Sequence, residues 1–303
     1  MNVLLTGAAG LIGMAVRATL AKAGHKVIPI DVTSFDRPDP TLHRLSFEDR
    51  AGLERLADEA NIDAIVHCGA ISGPMMAKGE PLRLVAVNID ATAILLDLAR
   101  RKAMKRFVFC SSISVYGDVG PGIITEGTPL RPTSVYGATK VACEQLIQGM
   151  GVEYGTSGVS LRIGRVYGPY RRANCHLKNL IENTEAARPT EIPCDPAFIY
   201  HYVYADDVAE AILVALEAPS LPQREYNVGS GEALTMPQLV ARAQSAVLGM
   251  NAILIPGEDD VPDVQTGFDV SAIGRDLGWR PGFPIERGLA AYRDAIRAGA
   301  ASP

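Results

Sequence analysis

A short apolar run that leads straight into three evenly spaced glycines constrains the fold of this chain more than any other feature. The sequence opens Met1-Asn-Val-Leu-Leu-Thr6, continues Gly7-Ala-Ala-Gly10-Leu-Ile-Gly13, and runs through an Ala/Val/Leu-rich segment to Gly24. Glycines at this spacing permit a tight turn, a close approach of the backbone to a ligand, and close packing of the following helix on a sheet. The start of such a helix attracts phosphate. The pattern therefore predicts a strand, a phosphate-binding turn and a helix.

An acidic residue stands at the distance from these glycines that a dinucleotide-binding turn requires. The next apolar run, Lys26-Val-Ile-Pro-Ile-Asp31, predicts a second strand that ends on Asp31. A carboxylate there accepts hydrogen bonds from ribose hydroxyls and repels a 2′-phosphate, which favours NAD over NADP. An ordinary loop would explain the glycines, but it would not predict a strand, a helix and Asp31 in register with them.

Apolar runs alternate with helical patterns through the first half of the chain, which predicts a doubly wound parallel α/β sheet of the Rossmann type. A ligand of such a sheet lies at the carboxyl ends of the strands. The predicted strands are 2–6, 26–31, 42–45, 64–68, 107–111 and 159–163, and the predicted helices are 11–23, 49–60, 82–102 and 136–154.

The rhythm changes beyond residue 167, where Gly168-Pro169 interrupts the pattern. Helical patterns near 206–217, 235–249 and 285–298 then alternate with short strands and Pro/Gly turns. We therefore predict an NAD-binding domain over 1–167 that carries the catalytic residues. Residues 168–303 are predicted to form mainly a smaller substrate-binding lobe, with some segments returning to the first sheet.

Composition excludes several classes of protein. The chain has 303 residues, 48% of them hydrophobic, so it can bury a large core. A net charge of −5 and a pI of about 5.6 give no basic surface for nucleic acid or anionic membranes. No apolar run reaches the ~18 residues of a membrane span, and the first strand leaves no room for a signal peptide. We therefore expect a cytoplasmic protein without a nucleic-acid or membrane partner.

Cysteine and histidine usage points the same way. The five cysteines are widely spaced and form no Cys-x-x-Cys pair, which predicts buried thiols in a reducing compartment. The five histidines lack the spacing of metal ligands, so no metal site is expected.

A tyrosine and a lysine four residues apart, in Tyr136-Gly-Ala-Thr-Lys140, lie on one face of a predicted helix. The ammonium there can favour the phenolate and turn a weak acid into a usable base. By itself the spacing means little, because a solvated helix face produces it equally well. It gains weight from a second segment, in which the apolar run Phe107-Val-Phe-Cys passes into Ser111, Ser112 and Ser114. One of these three hydroxyls is expected beside the nicotinamide at the carboxyl end of the strand.

Together these motifs resemble the extended short-chain dehydrogenase/reductase family, specifically its NAD-dependent sugar epimerase/dehydratase branch. The resemblance covers nearly the whole chain. It rests on Thr6-Gly-x-x-Gly-x-x-Gly13, Asp31, Asn88, Ser112-x-x-Val-Tyr-Gly117, Tyr136-x-x-x-Lys140, Tyr204-Ala-Asp206-Asp207 and Leu277-Gly-Trp279-Arg-Pro281.

The resemblance implies hydride transfer with Tyr136 as the base. A free tyrosine has a pKa near 10, and Lys140 with the positive nicotinamide is expected to lower it. Lys140 would also hold the nicotinamide ribose, and Ser112 would donate a hydrogen bond to the oxygen that becomes a carbonyl. Asn88 would order the helix that carries the site, although a plain helix cap is an equal alternative. Tyr116 is expected to pack within its turn.

The resemblance also implies where cofactor and substrate bind. Cofactor contacts are expected at Gly7, Gly10, Leu11, Ile12, Gly13, Asp31, Ser46, Ala70, Asn88, Tyr136 and Lys140. Substrate contacts are expected at Ser72, Ser112, Tyr136 and Arg165. Ser46 stands where the family has an aspartate on the adenine amine, so it would accept the same hydrogen bond more weakly.

Three departures from the family pattern concern the substrate. Arg165 replaces an asparagine that helps to bind a diphosphate, and Tyr200-His201 replaces the usual Arg-Asp. The Gly-Asp-Gly stretch is also missing, because Ile192-Pro-Cys-Asp-Pro196 stands there. Arginine suits a carboxylate or a single phosphate through bidentate pairing. A surface ion pair is the alternative for Arg165.

These observations leave three functional hypotheses in order of preference. The first is an NAD-dependent dehydrogenase that oxidises a secondary or hemiacetal hydroxyl of a small sugar or sugar acid. The alternative is a UDP-sugar 4-epimerase with tightly bound NAD, whose phosphates are held by Arg165, Arg171, Arg172 or Lys178. The last is a non-catalytic NAD-sensing protein. Dehydratase chemistry is disfavoured because Ser112 is followed by Ile113-Ser114 rather than Asp-Glu.

The resemblance finally implies a homodimer through the helices near 82–102 and 136–154, packed as a four-helix bundle. Apolar side chains of these helices form either that interface or core against the sheet, and the sequence does not separate the two. They are Leu95, Leu96, Leu98, Leu146 and Ile147.

Overall fold

The computed structural model describes residues 1–35, 37–73, 79–258 and 263–299. The strands in chain order are β1 (Asn2–Thr6), β2 (Lys26–Asp31), β3 (His43–Arg44), β4 (Ala64–His67), β5 (Arg106–Ser112), β6 (Ile123–Ile124), β7 (Gly158–Ile163), β8 (Arg165–Tyr167), β9 (Thr190–Cys194), β10 (Ile199–Tyr200), β11 (Tyr202–Tyr204), β12 (Glu225–Val228), β13 (Leu234–Thr235), β14 (Ala252–Pro256) and β15 (Gly267–Phe268). The α-helices are α1 (Leu11–Lys22), α2 (Arg50–Glu59), α3 (Pro81–Val85), α4 (Ala91–Arg101), α5 (Val135–Tyr154), α6 (His176–Glu185), α7 (Ala205–Glu217), α8 (Met236–Ala246), α9 (Ser271–Leu277) and α10 (Ile285–Arg297).

A seven-stranded sheet forms the centre of the molecule, with strand order β12-β7-β5-β4-β1-β2-β3. All neighbours are parallel; Leu4 of β1, for example, pairs with Ile28 of β2 on one side and Ile65 of β4 on the other. The predicted doubly wound parallel α/β sheet is confirmed, and each of the six predicted strands belongs to it.

Alternating side chains of each central strand face opposite layers of helices. Val3 and Leu5 pack in the same core as α1 and α7, whereas Leu4 packs with α2, α4 and α5 on the other face. All three are fully buried. Strands buried on both faces are continuously apolar, which is why the sequence shows them as runs rather than as an alternating pattern.

The helix residues for which the sequence left two roles open divide unequally. Four of them, Leu95, Leu96, Leu98 and Ile147, are at most 1% exposed and pack in the core against the sheet. Leu146 is 37% exposed. An interface role for the first four is therefore wrong in this fold, because the sheet already covers them.

The predicted helix over 82–102 is interrupted. A π-helical turn, Ala86–Asp90, joins α3 to α4, and Asn88 lies at its centre. The backbone carbonyl of Asn88 accepts hydrogen bonds from the hydroxyl of Thr92 and the thiol of Cys143. Side chains therefore supply donors to the carbonyl in the widened turn.

A second core lies in the C-terminal half, between α6, α8 and α10 and the short strands β8 to β11. Other segments of this half join the first sheet: β12 pairs with β7, and α7 packs in the core beside α1. The division at residue 167 stays a prediction. Within the described ranges, no helix combines the length and the apolar character that crossing a bilayer requires.

Two separate motifs of the sequence meet at Asp207. The indole of Trp279 donates to the backbone carbonyl of Asp207 at 3.1 Å. The carboxylate of Asp207 accepts from the backbone N–H groups of Gly282 and Phe283 at 2.7 and 3.0 Å. These bonds fasten the segment before α10 to the start of α7.

Candidate active site

A cleft with a volume of about 1320 Å³ runs along the carboxyl ends of the central strands. This is the location that the parallel sheet predicts for a ligand. The predicted residues that line it are Gly7, Gly10, Leu11, Ile12, Gly13, Asp31, Ser46, Ala70, Ser72, Ser112, Tyr136 and Arg165. The cleft therefore brings together the predicted cofactor and substrate residues from both halves of the chain, apart from Asn88 and Lys140.

The glycine turn at one end of the cleft has no room for side chains. Gly7 has φ +64°, and a Cβ on it would lie 2.6 Å from the backbone N of Gly69. A Cβ on Gly13 would lie 2.1 Å from the carbonyl oxygen of Gly7. Helix α1 begins after Gly10 without a side-chain cap and without an acid in its first turn. Its N–H groups are therefore available to an anionic ligand, so the turn fits a dinucleotide pyrophosphate.

Asp31 lies at the end of β2 beside this turn. Its carboxylate accepts hydrogen bonds from the backbone N–H groups of Ala9 and Thr33, at 3.1 and 3.2 Å. These bonds fix the orientation of the carboxylate at the wall of the cleft. Ser46 is exposed on the same wall and accepts a hydrogen bond from the backbone N–H of Glu48 at 3.2 Å.

The three candidate serines differ in their surroundings. The hydroxyl of Ser111 donates to the carboxylate of Glu144 at 2.6 Å in a buried site, and Ser114 is only 6% exposed. Ser112 is half-buried, and its hydroxyl accepts from the backbone N–H of Ser114 at 3.2 Å. Its own proton is free of that bond, so Ser112 can donate to a ligand in the cleft.

Tyr136 lies in the first turn of α5, at the wall of the cleft. Its ring is 8% exposed and packs against Leu84 and Ile71. Lys140 lies one turn further on and is 3% exposed, with its ammonium 5.7 Å from the centre of the Tyr136 ring. That ammonium donates to the carbonyl oxygen of Cys110 at 2.7 Å. Lys140 therefore supports Tyr136 from behind, and its contact with a nicotinamide ribose stays a prediction.

Asn88 is buried behind the cleft. Its side chain bonds both the N–H and the carbonyl of Ile71, at 2.9 and 3.2 Å, and donates to the hydroxyl of Thr139 at 3.0 Å. It does not cap a helix, since it lies inside the π-helical turn and bonds other segments. The helix-cap alternative is therefore wrong. Its predicted contact with the cofactor stays a prediction, because these three bonds are all to protein.

Arg165 begins β8 and lines the cleft, with its guanidinium carbon 5.3 Å from the ring centre of Tyr200 and 5.7 Å from that of Tyr202. Tyr200 itself is 2% exposed and stacks on Tyr202, with ring centres 5.7 Å apart. His201 is 7% exposed, and its ring packs on Phe268. Tyr200 therefore contacts Arg165 through its ring, whereas His201 contacts it through its backbone carbonyl, which accepts from the N–H of Arg165 at 2.8 Å.

The other basic residues considered as phosphate ligands differ in whether they line the cleft. Arg171 and Arg172 line the cleft, and Arg172 extends across its mouth to the ring and backbone carbonyl of Phe35. Arg171 donates to the backbone carbonyl of Val166 at 2.8 Å. Lys178 does not line the cleft and pairs with Glu182 of the same helix, α6, at 3.4 Å.

A buried ion pair supports the strand end that carries Ser112. Arg162 and Glu144 are in contact at 2.8 Å, and both side chains are at most 5% exposed. Burial lowers the pKa of Arg162, but hydrogen bonding and attraction to Glu144 outweigh it, so the pKa is raised overall. Tyr116 is buried against this pair, where Arg162 donates to its hydroxyl at 3.0 Å, and burial raises its pKa to about 12.

The sequence did not single out several residues of the cleft wall. Cys68 and Gly69 follow β4 directly, so the rule that ligands meet the carboxyl ends of parallel strands would have found them. Phe35 and Tyr170 also line the cleft, from loops that approach each other across its mouth. Sequence spacing gives no signal for such an approach.

Comparisons with known proteins agree with this geometry. Residues 3–229 match the family model described as the NAD dependent epimerase/dehydratase family. The "Uncharacterized UDP-glucose epimerase YtcB" of Bacillus subtilis is 32% identical, over 95% of this chain and 96% of that protein.

Two solved structures are similar over their whole length. The UDP-glucose 4-epimerase of Thermotoga maritima with UDP-glucose has a TM-score of 0.90 and 26% identity, covering 99% of this chain and 100% of that chain. The UDP-glucuronic acid 4-epimerase of Bacillus cereus with UDP-glucuronic acid and NAD has a TM-score of 0.83 and 26% identity, covering 98% and 99%. The chain belongs to the NAD dependent epimerase/dehydratase family and is an NAD-dependent enzyme of the extended short-chain dehydrogenase/reductase type, built on a Rossmann fold.

Proposed function

We propose that this enzyme is a nucleotide-sugar 4-epimerase that retains NAD through the reaction. One observation carries the proposal: a single cleft of about 1320 Å³ joins the glycine turn, the Ser112 and Tyr136 pair, and the arginines of the second half. Part of that volume lies in a groove beside α2 and α4, which the cleft enters as far as Leu53 and Arg101. The support for a cofactor and a second ligand is therefore the set of lining residues at the strand ends, which come from both halves of the chain.

The proposed reaction oxidises a sugar hydroxyl and then reduces the resulting ketone from the opposite face of the ring. Bound NAD supplies the hydride acceptor and donor. Tyr136 takes the hydroxyl proton as hydride leaves carbon and returns a proton when the ketone is reduced. Ser112 donates a hydrogen bond to the same oxygen in both steps and so keeps it within reach of Tyr136. Lys140 stabilises the phenolate from behind the ring.

Arg165, Arg171 and Arg172 are the proposed ligands of the substrate diphosphate. All three line the cleft, and guanidinium groups pair with phosphate oxygens in a bidentate manner. Lys178 is not among the proposed ligands, because it does not line the cleft and pairs with Glu182.

The relatives support this alternative better than the first hypothesis from the sequence, a dehydrogenase of small sugars or sugar acids. One observation still favours that hypothesis. Arg165 is held over two tyrosine rings where the family pattern has an asparagine, and a fixed arginine suits a free carboxylate. Non-catalytic NAD sensing is not supported, because the chain belongs to an enzyme family.

The two catalytic hypotheses differ in what purified enzyme does to a panel of substrates. The enzyme is incubated with NAD and UDP-sugars, aldoses or sugar acids, while absorbance at the NADH band and product sugars are followed. The 4-epimerase converts UDP-sugars without net NADH. Stoichiometric NADH from a free sugar or sugar acid, with UDP-sugars unchanged, would instead establish the dehydrogenase.

We also propose that two copies associate through α4 and α5. Leu146 supports this, because it is 37% exposed, whereas the other four apolar residues considered for the interface are buried. Sedimentation equilibrium of the purified protein is expected to give twice the mass of the chain. Replacement of Leu146 by lysine is expected to raise the dimer dissociation constant, whereas a wild-type monomer would contradict the proposal.

A further inference from the structure

A chain of buried polar side chains runs behind the cleft, from the glycine turn to the helix that carries Tyr136. Its members are Thr6, His67, Thr92, Asn88 and Thr139, each at most 2% exposed. Burying a polar group without a partner is costly, so a run of this length is retained only where the bonds are made. Each member is hydrogen-bonded to the next, apart from Thr92, which bonds the backbone of Asn88.

The first part of this series of hydrogen bonds links β1 to the π-helical turn. The backbone N–H of Gly69 donates to the hydroxyl of Thr6 at 3.1 Å, and that hydroxyl lies 2.6 Å from Nδ1 of His67. Nε2 of His67 lies 3.1 Å from the hydroxyl of Thr92, which donates to the backbone carbonyl of Asn88 at 2.7 Å.

One arrangement of protons makes all of these bonds and also gives the hydroxyl proton of Thr6 an acceptor. The single hydroxyl proton of Thr92 is used at the carbonyl of Asn88, so Nε2 of His67 must be the donor in its bond to Thr92. Nδ1 is then the acceptor, and it takes the hydroxyl proton of Thr6. A proton on Nδ1 would leave the hydroxyl proton of Thr6 without its acceptor. The imidazole is therefore neutral, with its proton on Nε2.

The second part of this series of hydrogen bonds links the π-helical turn to Tyr136. The side chain of Asn88 bonds both backbone groups of Ile71 and donates to Thr139, whose hydroxyl donates to the backbone carbonyl of Tyr136 at 2.7 Å. Ile71 packs against the small apolar cluster that Leu84 and Tyr136 form. Asn88 thus reaches Tyr136 by two routes, through Thr139 to its backbone and through Ile71 to this cluster.

This series of hydrogen bonds is not a route for protons. It passes through the covalent structure of Asn88, from backbone carbonyl to side chain, and it ends on the carbonyl of Tyr136 rather than on the phenol. What it transmits is position. A displacement of about 1 Å between reacting groups costs on the order of 100-fold in rate, so a small shift of the first turn of α5 would be visible in catalysis.

We propose that His67 is a positioning residue for Tyr136 and acts through Thr92 and Asn88, holding the first turn of α5 in register with the glycine turn. The inference rests on the proposed role of Tyr136 as the base.

Two amide substitutions separate the two bonds of His67. The side-chain nitrogen of glutamine can take the place of Nε2 and donate to Thr92, whereas the side-chain oxygen of asparagine can take the place of Nδ1 and accept from Thr6. His67→Gln is therefore expected to retain most of kcat. His67→Asn is expected to lower kcat on the order of 10- to 100-fold, with KM and NAD affinity within about twofold of wild type.

Thr92 provides a second pair that keeps the test independent of any folding defect at His67. Thr92→Val removes the hydroxyl at nearly constant volume and is expected to lower kcat like His67→Asn. Thr92→Ser restores the hydroxyl and is expected to restore kcat. A serine that fails to rescue, or a valine with wild-type kcat, would overturn the proposal, and so would equal kcat for the two His67 variants.

A readout without substrate distinguishes failure of this inference from failure of the proposed function. In NAD-loaded protein, ¹⁵N spectra are expected to show the Nε2–H tautomer of His67. The amide resonances of residues 136–140 are expected to shift in Thr92→Val and to return in Thr92→Ser. An Nδ1–H tautomer or unmoved amides would refute the inference even if wild type turned over none of the tested sugars, which would by itself refute only the function.

Discussion

Tyr136 is held by two residues that are distant in the sequence and by two residues of its own helix. Ile71 and Leu84 pack on its ring, Lys140 lies behind it, and Thr139 bonds its carbonyl. Tyr136 and Ser112 both line the cleft. The arrangement supports the proposed role of Tyr136 in proton transfer, because it holds the residue in place.

Replacing Tyr136 by phenylalanine therefore separates chemistry from structure. Loss of a positioned acid–base group costs ~10²- to 10⁴-fold in rate, so kcat of the Tyr136→Phe variant is expected to fall by that factor. NAD affinity and unfolding midpoint are expected to stay near wild type, because the ring and its packing remain. Tyr154→Phe is the matched control, since Tyr154 ends the same helix and is 57% exposed. Equal kcat in the two variants would contradict the assignment.

His67 makes a prediction about stability in acid. Burial, with a smaller contribution from the Lys140 ammonium, lowers its pKa to about 3, whereas an unfolded histidine titrates near 6.5. The unfolded chain therefore binds an extra proton between these pH values, and the free energy of unfolding falls as pH falls from 6.5 toward 3. His67 contributes up to ~1.4 kcal/mol per pH unit to that slope.

Urea unfolding at several pH values measures this slope. His67→Gln is expected to show a flatter acid limb than wild type, whatever its absolute stability. His43→Gln, at an exposed position of β3, is the control and is expected to keep the wild-type slope. Parallel acid limbs for wild type and His67→Gln would show that the imidazole is not held neutral.

At the scale of single residues, the sequence predicted which residues belong to the site better than it predicted what those residues contact. The register of the Ser-x-x-Val-Tyr-Gly motif favoured Ser112, and the structure turns Ser111 toward Glu144. The Tyr200-His201 pair replaces the Arg-Asp of the family pattern, and both side chains are buried: the ring of Tyr200 lies by Arg165, and that of His201 packs on Phe268. Local spacing cannot show this, because the packing partners come from β8, β11 and the segment before α9.

At the scale of elements, α5 lies unusually close to the segment that follows β5. A Cβ on Gly137 would lie 2.4 Å from the carbonyl oxygen of Ser114, which is backbone and cannot rotate away. Gly149, in the same helix, has nothing within 4 Å of such a Cβ. Close packing therefore leaves no room for a side chain at Gly137, whereas Gly149 has room for one.

Alanine substitutions at these two glycines are expected to act in opposite directions. Gly137→Ala forces the first turn of α5 away from Ser112, so it is expected to destabilise by ~1–3 kcal/mol and to lower kcat. Gly149→Ala is expected to stabilise by up to ~1 kcal/mol through helix propensity, with kcat unchanged. Urea unfolding and steady-state kinetics measure both effects. Similar behaviour of the two variants would argue against close packing at Gly137.

The central strands could be predicted within about one residue because strands buried on both faces are continuous apolar runs. The break between α3 and α4 could not. Its π-helical turn is accompanied by donors from Thr92 and Cys143 to one carbonyl, and Cys143 lies on another helix. The hydrophobic periodicity of residues 82–102 therefore does not predict that contact.

At the scale of the whole molecule, the second half of the chain does two things. Its segments β12 and α7 complete the sheet and its helical layer, while the residues around β8 close the far side of the cleft. The sequence motifs around Asp207 and Trp279 were recognisable separately, but their bond to each other was not predicted. Contacts across seventy residues depend on topology that a local pattern does not encode.

The measurement that tests the central claim most directly follows one hydrogen atom. A UDP-sugar deuterated at C4 is incubated with NAD-loaded enzyme, and both C4 epimers are analysed by NMR while the NADH band is monitored. The proposed function predicts that deuterium stays at C4 in the epimerised product and that no NADH accumulates, since the hydride leaves and returns within one active site. Unchanged UDP-sugar, loss of deuterium to solvent, or its release on free reduced cofactor would contradict the account.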